Sequence, residues 1–232
     1  MEIGNQDIQH CRFERKMLAL DDDYYLENLI KLHPMHFSEI FIKRSVNNIY
    51  LDTLDYKNFY DNIEGLAGRK KVRIRWYGNL FGKIENPTLE IKIKQGLIGI
   101  KKSYPLPAAI FDNNSFHRKV STLLLEKKFL PEPLIQELKL YRPVLINCYM
   151  RKYFLSANRQ YRITIDSQMK FFQPNDNNSC FDKTFSDPFH AILEIKYSRA
   201  YDDDANQITN FFPYRLNAIS KYVRGVKELY AL

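Results

Sequence analysis

Cysteine is scarce in this 232-residue chain, and the three present, Cys11, Cys148 and Cys180, form an odd set with no paired spacing. That excludes a disulfide framework and argues against a cysteine zinc site. Long hydrophobic runs are missing as well. No stretch approaches the roughly 18 apolar residues needed to cross a bilayer, and Met1–Gln9 lacks a basic segment followed by an apolar one. A cytoplasmic protein without a membrane segment is therefore expected. Solenoid-period repeats and low-complexity tracts are absent, which points to one domain over residues 1–232. A phosphate loop is excluded by spacing: Gly96 and Gly99 enclose two residues, where a Walker motif needs four and a lysine directly after the second glycine. His33 and His36 flank Pro34 and Met35, a spacing that binds metal only with further ligands nearby, so an ordinary surface pair is expected.

What the chain does have is positive charge. Thirty-five Lys and Arg stand against 27 Asp and Glu, a net charge of +8, which points to polyanionic partners such as phosphates, nucleic acid or anionic membrane. Much of it falls on alternate residues of candidate strands. Lys71, Arg73 and Arg75 alternate with Val72, Ile74 and Trp76; Glu90, Lys92 and Lys94 with Leu89, Ile91 and Ile93; Arg162, Thr164 and Asp166 with Ile163 and Ile165. Ile192, Glu194 and Lys196 share one face of another strand, as do Tyr149, Arg151 and Tyr153, and Arg12, Glu14 and Lys16; Val46–Asp52 reads as a further strand. Helical spacing is confined to Asp21–Leu32, a segment from Asp55 to Gly65, Ser115–Phe129 and Tyr214–Leu229, while Gln173–Asp187 and Asp202–Asp204 read as loops.

A single alternating strand is ordinarily half buried, with its charges in water. Six strands repeating Arg or Lys on one face favour another arrangement. If the sheet curls into a closed antiparallel β-barrel of about eight strands, those faces line a lumen of side-chain width, and the cations there repel one another unless a polyanion fills it. Arg grips phosphate oxygens in pairs and Lys adds a movable charge. An occasional carboxylate on such a face, Glu90 for one, can hold the Mg²⁺ or Mn²⁺ that accompanies a triphosphate. On strand faces alone, Lys94 and Lys196 join the substrate-binding set. Phosphoryl transfer needs positioning and charge stabilisation more than a covalent nucleophile, and no Ser, His, Asp triad is suggested.

With those strands in order, the sequence resembles the catalytic domain of the vacuolar transporter chaperone (VTC) family of polyphosphate polymerases, within the CYTH-like triphosphate tunnel class. The matching pieces run from Arg12–Lys16 through Ile49–Thr53, Lys71–Tyr77, Leu89–Lys92, Tyr149–Arg151, Arg162–Asp166 and Leu193–Lys196 to Ser220–Gly225. The resemblance implies an α+β fold, a tunnel barrel with helices outside and at its mouths. It implies catalytic phosphate contacts from Arg73, Arg75, Lys92, Arg151, Arg162 and Lys221. Substrate contacts are implied from Lys16, Tyr149 and Ser220, and from Lys101 or Lys102; Glu194 becomes the metal ligand. Hydrolase and cyclase relatives carry Glu-x-Glu-x-Lys on the first strand, and Arg12 stands here in place of the first Glu, which favours the polymerase branch.

Three functions compete on this basis. The leading one is an ATP-dependent polyphosphate polymerase. The others are a hydrolase of tripolyphosphate or nucleoside triphosphates, and a binding module for polyphosphate, pyrophosphate or other polyanions. Nucleic acid ranks last, since no RNA-binding signature or basic recognition helix is evident.

Overall fold

The computed structural model describes residues 12–95, 98–111, 116–125, 129–175 and 181–232. Eleven strands occur among them: β1 (Arg12–Ala19), β2 (Ser38–Asp52), β3 (Arg69–Tyr77), β4 (Gly82–Ile84), β5 (Thr88–Gln95), β6 (Ile98–Pro105), β7 (Ala109–Phe111), β8 (Arg142–Leu155), β9 (Tyr161–Pro174), β10 (Phe181–Asp187) and β11 (Ala191–Ser198). The helices are α1 (Asp23–Lys31), α2 (Lys57–Ile63), α3 (Phe116–Leu125), α4 (Glu132–Leu138), α5 (Ala205–Asn210) and α6 (Lys221–Tyr230). One antiparallel sheet runs in the order β1-β11-β9-β8-β2-β3-β5-β6, with β10 added to β9, and β4 and β7 form a separate ribbon.

Apolar burial shows how the sheet curls. Its convex face is covered twice. Ile49, Val72, Ile74, Trp76, Leu89 and Ile91 pack under α3, α4 and the β4–β7 ribbon. On the other half, Met17, Ile163, Ile165, Leu193 and Ile195 pack under α1 and α5. The concave face carries the alternate residues of the same strands, as period-two geometry requires. At one end it is apolar: Val46, Tyr50, Leu145, Tyr149 and Ile192 receive Tyr222, Val226 and Leu229 of α6, which therefore lies inside the curl. Helix and wall approach closely at Gly225, where a Cβ would lie 2.6 Å from Phe171 and 2.7 Å from Leu145. Asp52 ties this end together. Its carboxylate accepts from the amides of Asn58 and Phe59 at the start of α2 and from the Tyr222 hydroxyl.

Closure of the expected barrel is not shown. Among the described residues, no ladder joins β1 to β6. The free edge of β1 is occupied instead by the chain before α6, through a bridge from Met17 to Leu216 and the Asn217 amide donating to the Lys16 carbonyl at 2.8 Å. The seam is spanned by side chains, with Lys92 of β5 2.6 Å from Glu14 of β1. That same edge pairing explains why α6 begins at Lys221 rather than Tyr214: Leu216 bridges to β1, and Ser220, with extended backbone, caps the helix by accepting from the Val223 amide.

Two other sequence expectations are corrected. Most of the expected loop at Gln173–Asp187 is strand, since Gln173 and Pro174 end β9 and Phe181–Asp187 forms β10 against it; its middle, 176–180, lies outside the described residues, as do Gly96, Cys11 and Cys180. His33 is buried rather than on the surface. It packs among Phe37, Phe211 and Phe212 while its Nε2 meets the Ile208 carbonyl at 3.2 Å, and burial depresses its pKa. The α1 expectation holds, with Asp22 accepting from the Tyr25 amide as N-cap.

Candidate active site

Beyond α6 the concave wall becomes charged, and register explains why. Opposite charges face each other across neighbouring strands: Lys16 with Glu194, Glu14 with Lys196, and Arg73 with Glu90. Three clusters result, each built on a buried or half-buried carboxylate.

Glu90 anchors the first. Its Oε2 lies 2.6 Å from an Arg73 terminal nitrogen and 3.6 Å from one of Arg75, and its Oε1 pairs with Lys101. Arg75 also donates to Asn48 and, at 3.2 Å, to the Tyr149 hydroxyl; Arg73 reaches the Tyr50 hydroxyl at 3.3 Å. Burial pushes the Glu90 pKa upward, but Arg73, Arg75 and Lys101 outweigh it and hold the carboxyl at about 2.

Asp166 anchors the second. Arg151 grips it with two nitrogens in the fork geometry that suits a carboxylate, and Lys221 donates to it at 2.6 Å. Lys221 also lies 4.8 Å from the Tyr149 ring centroid, so α6 delivers its first residue to the wall. Against burial, Arg151 and Lys221 hold Asp166 at about 2. Glu194 anchors the third cluster, between Lys196 at 2.8 Å, Lys16 at 3.4 Å and Arg151 at 3.7 Å. Burial opposes its ionisation, yet Lys196, Lys16 and Arg151 hold its pKa well below the ordinary carboxylate range.

The structure thus brings Lys16, Arg73, Arg75, Glu90, Lys92, Lys101, Tyr149, Arg151, Glu194, Lys196 and Lys221 onto one curled wall. Arg162 and Lys196 are register partners and line a cavity of about 410 Å³ with Leu155, Asn158, Arg159 and Gln160. Lys94 lies on the same face, opposite Arg69. Two expected residues stand apart. Lys102 pairs with Ile91, whereas Lys101 pairs with Lys92, so strand alternation sends Lys102 to the other face. Ser220 borders the site, but its hydroxyl is already the cap acceptor of α6. Glu90 and Glu194 share no cation partner, and among the described residues no group of three or more metal-ligating side chains converges.

One wall residue was legible on its strand but not assigned a role. Lys71 faces Lys92 across β3 and β5 and makes no ion pair or hydrogen bond with a described residue. Burial, then the neighbouring Lys16 and Lys92, push its pKa down to about 7 against the weaker pull of Glu14.

A curled antiparallel sheet with a cationic concave wall is consistent with a triphosphate tunnel fold. The fold is similar to that of a protein from Vibrio parahaemolyticus described as a putative adenylate cyclase, at 12% identity and a TM-score of 0.53 over 96% of this chain and 98% of that one. It is also similar to the PH1819 protein of Pyrococcus horikoshii OT3, at 14% identity and a TM-score of 0.50 over 93% and 96% of the two chains. No curated protein matches the sequence. The VTC domain matches residues 12–230, and the chain belongs to that family.

Proposed function

We propose that this protein is an ATP-dependent polyphosphate polymerase, transferring the γ-phosphoryl group of a nucleoside triphosphate to the end of a polyphosphate chain. The observation that carries this reading is the imbalance of the concave wall. Its carboxylates, Glu14, Glu90, Asp166 and Glu194, are outnumbered by Lys and Arg, and every one of the four is already committed to cations. Such a wall holds a surplus of positive charge in a partly dry groove, which a linear polyphosphate is shaped to neutralise.

In the reaction, a terminal phosphate oxygen of the chain forms a new bond to the γ-phosphorus as the bridging bond to the β-phosphate breaks, and ADP leaves with the electron pair. In this reading Arg73 and Arg75 clamp one phosphate group, and Arg151 with Lys221 the next. Each must loosen its carboxylate partner as phosphate oxygens arrive, so Glu90 and Asp166 order the wall cations and also compete with the anion for them. Glu194, buried, ionised and acceptor-only, is the carboxylate that would hold a divalent cation, provided Lys196, Lys16 and Arg151 turn from it to triphosphate oxygens. Bound there, Mg²⁺ or Mn²⁺ would neutralise charge on the triphosphate.

Purified protein supplied with ATP and Mn²⁺ or Mg²⁺ should produce ADP and polyphosphate that resolves as a ladder on a gel. Glu194→Gln should abolish turnover while weakening tripolyphosphate binding far less. Stoichiometric free phosphate without polymer would identify a hydrolase, and neither product with either metal would leave a binding module.

A further inference from the structure

We infer that the open mouth of the channel carries a stacking platform for the base of the nucleoside triphosphate, formed by Phe41 and Tyr77 around Arg44. The inference rests on the phosphate-channel reading above and assigns which end of it the nucleoside occupies. One step outward on each strand, the wall changes character. On β3, Arg73 and Arg75 are followed on the same face by Tyr77; on β8, Arg151 is followed by Tyr153. On β2, Arg44 stands opposite Arg151, and a register shift between Arg44 and Phe41 brings Phe41 opposite Tyr153.

These side chains converge. The Arg44 guanidinium carbon lies 4.7 Å from the Phe41 ring centroid, 5.0 Å from that of Tyr153 and 5.2 Å from that of Tyr77. Phe41 meets Tyr153 edge to face at 5.5 Å. Arg44 makes no ion pair or hydrogen bond with a described residue, and its Nε is buried without a partner. Unlike Arg73, Arg75 and Arg151, it is held by rings alone. If the rings served only to seat Arg44, they would be expected to be covered; instead Phe41 is 49% and Tyr77 50% exposed.

Half-exposed rings beside a planar guanidinium with unused donors form a surface on which a nucleobase stacks, with sequence tolerance because every base has a π-face. The spacing suits a nucleotide. From Arg75 to Tyr77, or from Arg151 to Tyr153, is two strand residues, about 7 Å, comparable to the reach of a ribose between its 5′ phosphate and its base. The triphosphate would then point inward to Arg75, Tyr149 and Arg151.

Calorimetric titration of ATP and of tripolyphosphate into the wild type, Phe41→Ala and Tyr77→Ala tests this. Each substitution should weaken ATP by about tenfold or more and tripolyphosphate by less than about twofold, and Tyr77→Phe should restore ATP affinity. Circular dichroism melts should stay near wild type, since both rings are half exposed. If ATP and tripolyphosphate weaken equally, or neither changes, the platform is refuted while the channel stands. If the wild type does not bind tripolyphosphate at all, the channel reading fails and this inference fails with it.

Discussion

Asp166 shows how a single carboxylate can oppose the activity it supports. Buried and gripped by Arg151 and Lys221, it keeps two cations ordered in the empty channel, and it competes with phosphate for both. Asp166→Asn should therefore lower stability, by roughly 3 kcal/mol in urea denaturation, because removing one partner of a buried pair leaves the other charges uncompensated. It should at the same time tighten tripolyphosphate binding, and a variant that lost both stability and affinity would show instead that Asp166 chiefly positions Arg151. The pH dependence follows from sign. The folded pKa of about 2 lies below the ordinary 3.8. This contribution is thus complete above pH 4 and is lost as pH falls through about 2. The acid-unfolding curve of the Asn variant should lack that leg.

Among the elements, α6 does the most to shape the site, since its apolar face closes one end of the concavity while its first residue, Lys221, joins the cationic wall. The contact depends on a residue without a side chain. Gly225→Ala would place a Cβ under 3 Å from the Phe171 and Leu145 side chains, so either those side chains or the helix must give way. We expect a loss of about 1–3 kcal/mol, typical of overpacking, accompanied by weaker tripolyphosphate binding as Lys221 withdraws from Asp166. Unchanged phosphate affinity in a destabilised Gly225→Ala protein would separate the helix from the site.

Sequence periodicity was enough to place the cations of β3, β5, β8, β9 and β11 on one wall, because a strand's alternation is local. It could not choose between Lys101 and Lys102, a choice that depends on the register of β5 with β6. Nor could it show that β1 would pair with residues 216–217 rather than close on β6, since edge pairing is a long-range matter. Arg44 and Phe41 are not legible in the sequence, because the register shift between them breaks the alternation that marks the other wall residues.

At the scale of the whole molecule, the chain carries a net charge of +8 and its inward wall holds more Lys and Arg than carboxylates, and Lys71 registers the consequence. Around it stand Lys16 and Glu14 from β1, Lys92 from β5 and Arg69 from its own strand, while Asp52 on the adjacent β2 is engaged by α2 and Tyr222. Its folded pKa of about 7 lies below the 10.5 of a free lysine. The unfolded chain thus holds more protons than the folded one between those values. Stability rises with pH across that window, and the full penalty is present below pH 7. A bound polyanion supplies the missing counter-charge and returns the lysine to its charged form. Tripolyphosphate binding at pH 8.5 should therefore draw up to about one proton onto Lys71, measurable by calorimetry in two buffers of different ionisation enthalpy. The anion's own terminal oxygen titrates nearby, so the readout is the difference between wild type and Lys71→Met rather than the absolute count. The same variant should melt higher than wild type when empty at pH 7 and gain less from tripolyphosphate, with both effects largest at low salt. Equal proton uptake in the two proteins would show that Lys71 stays charged in the empty channel.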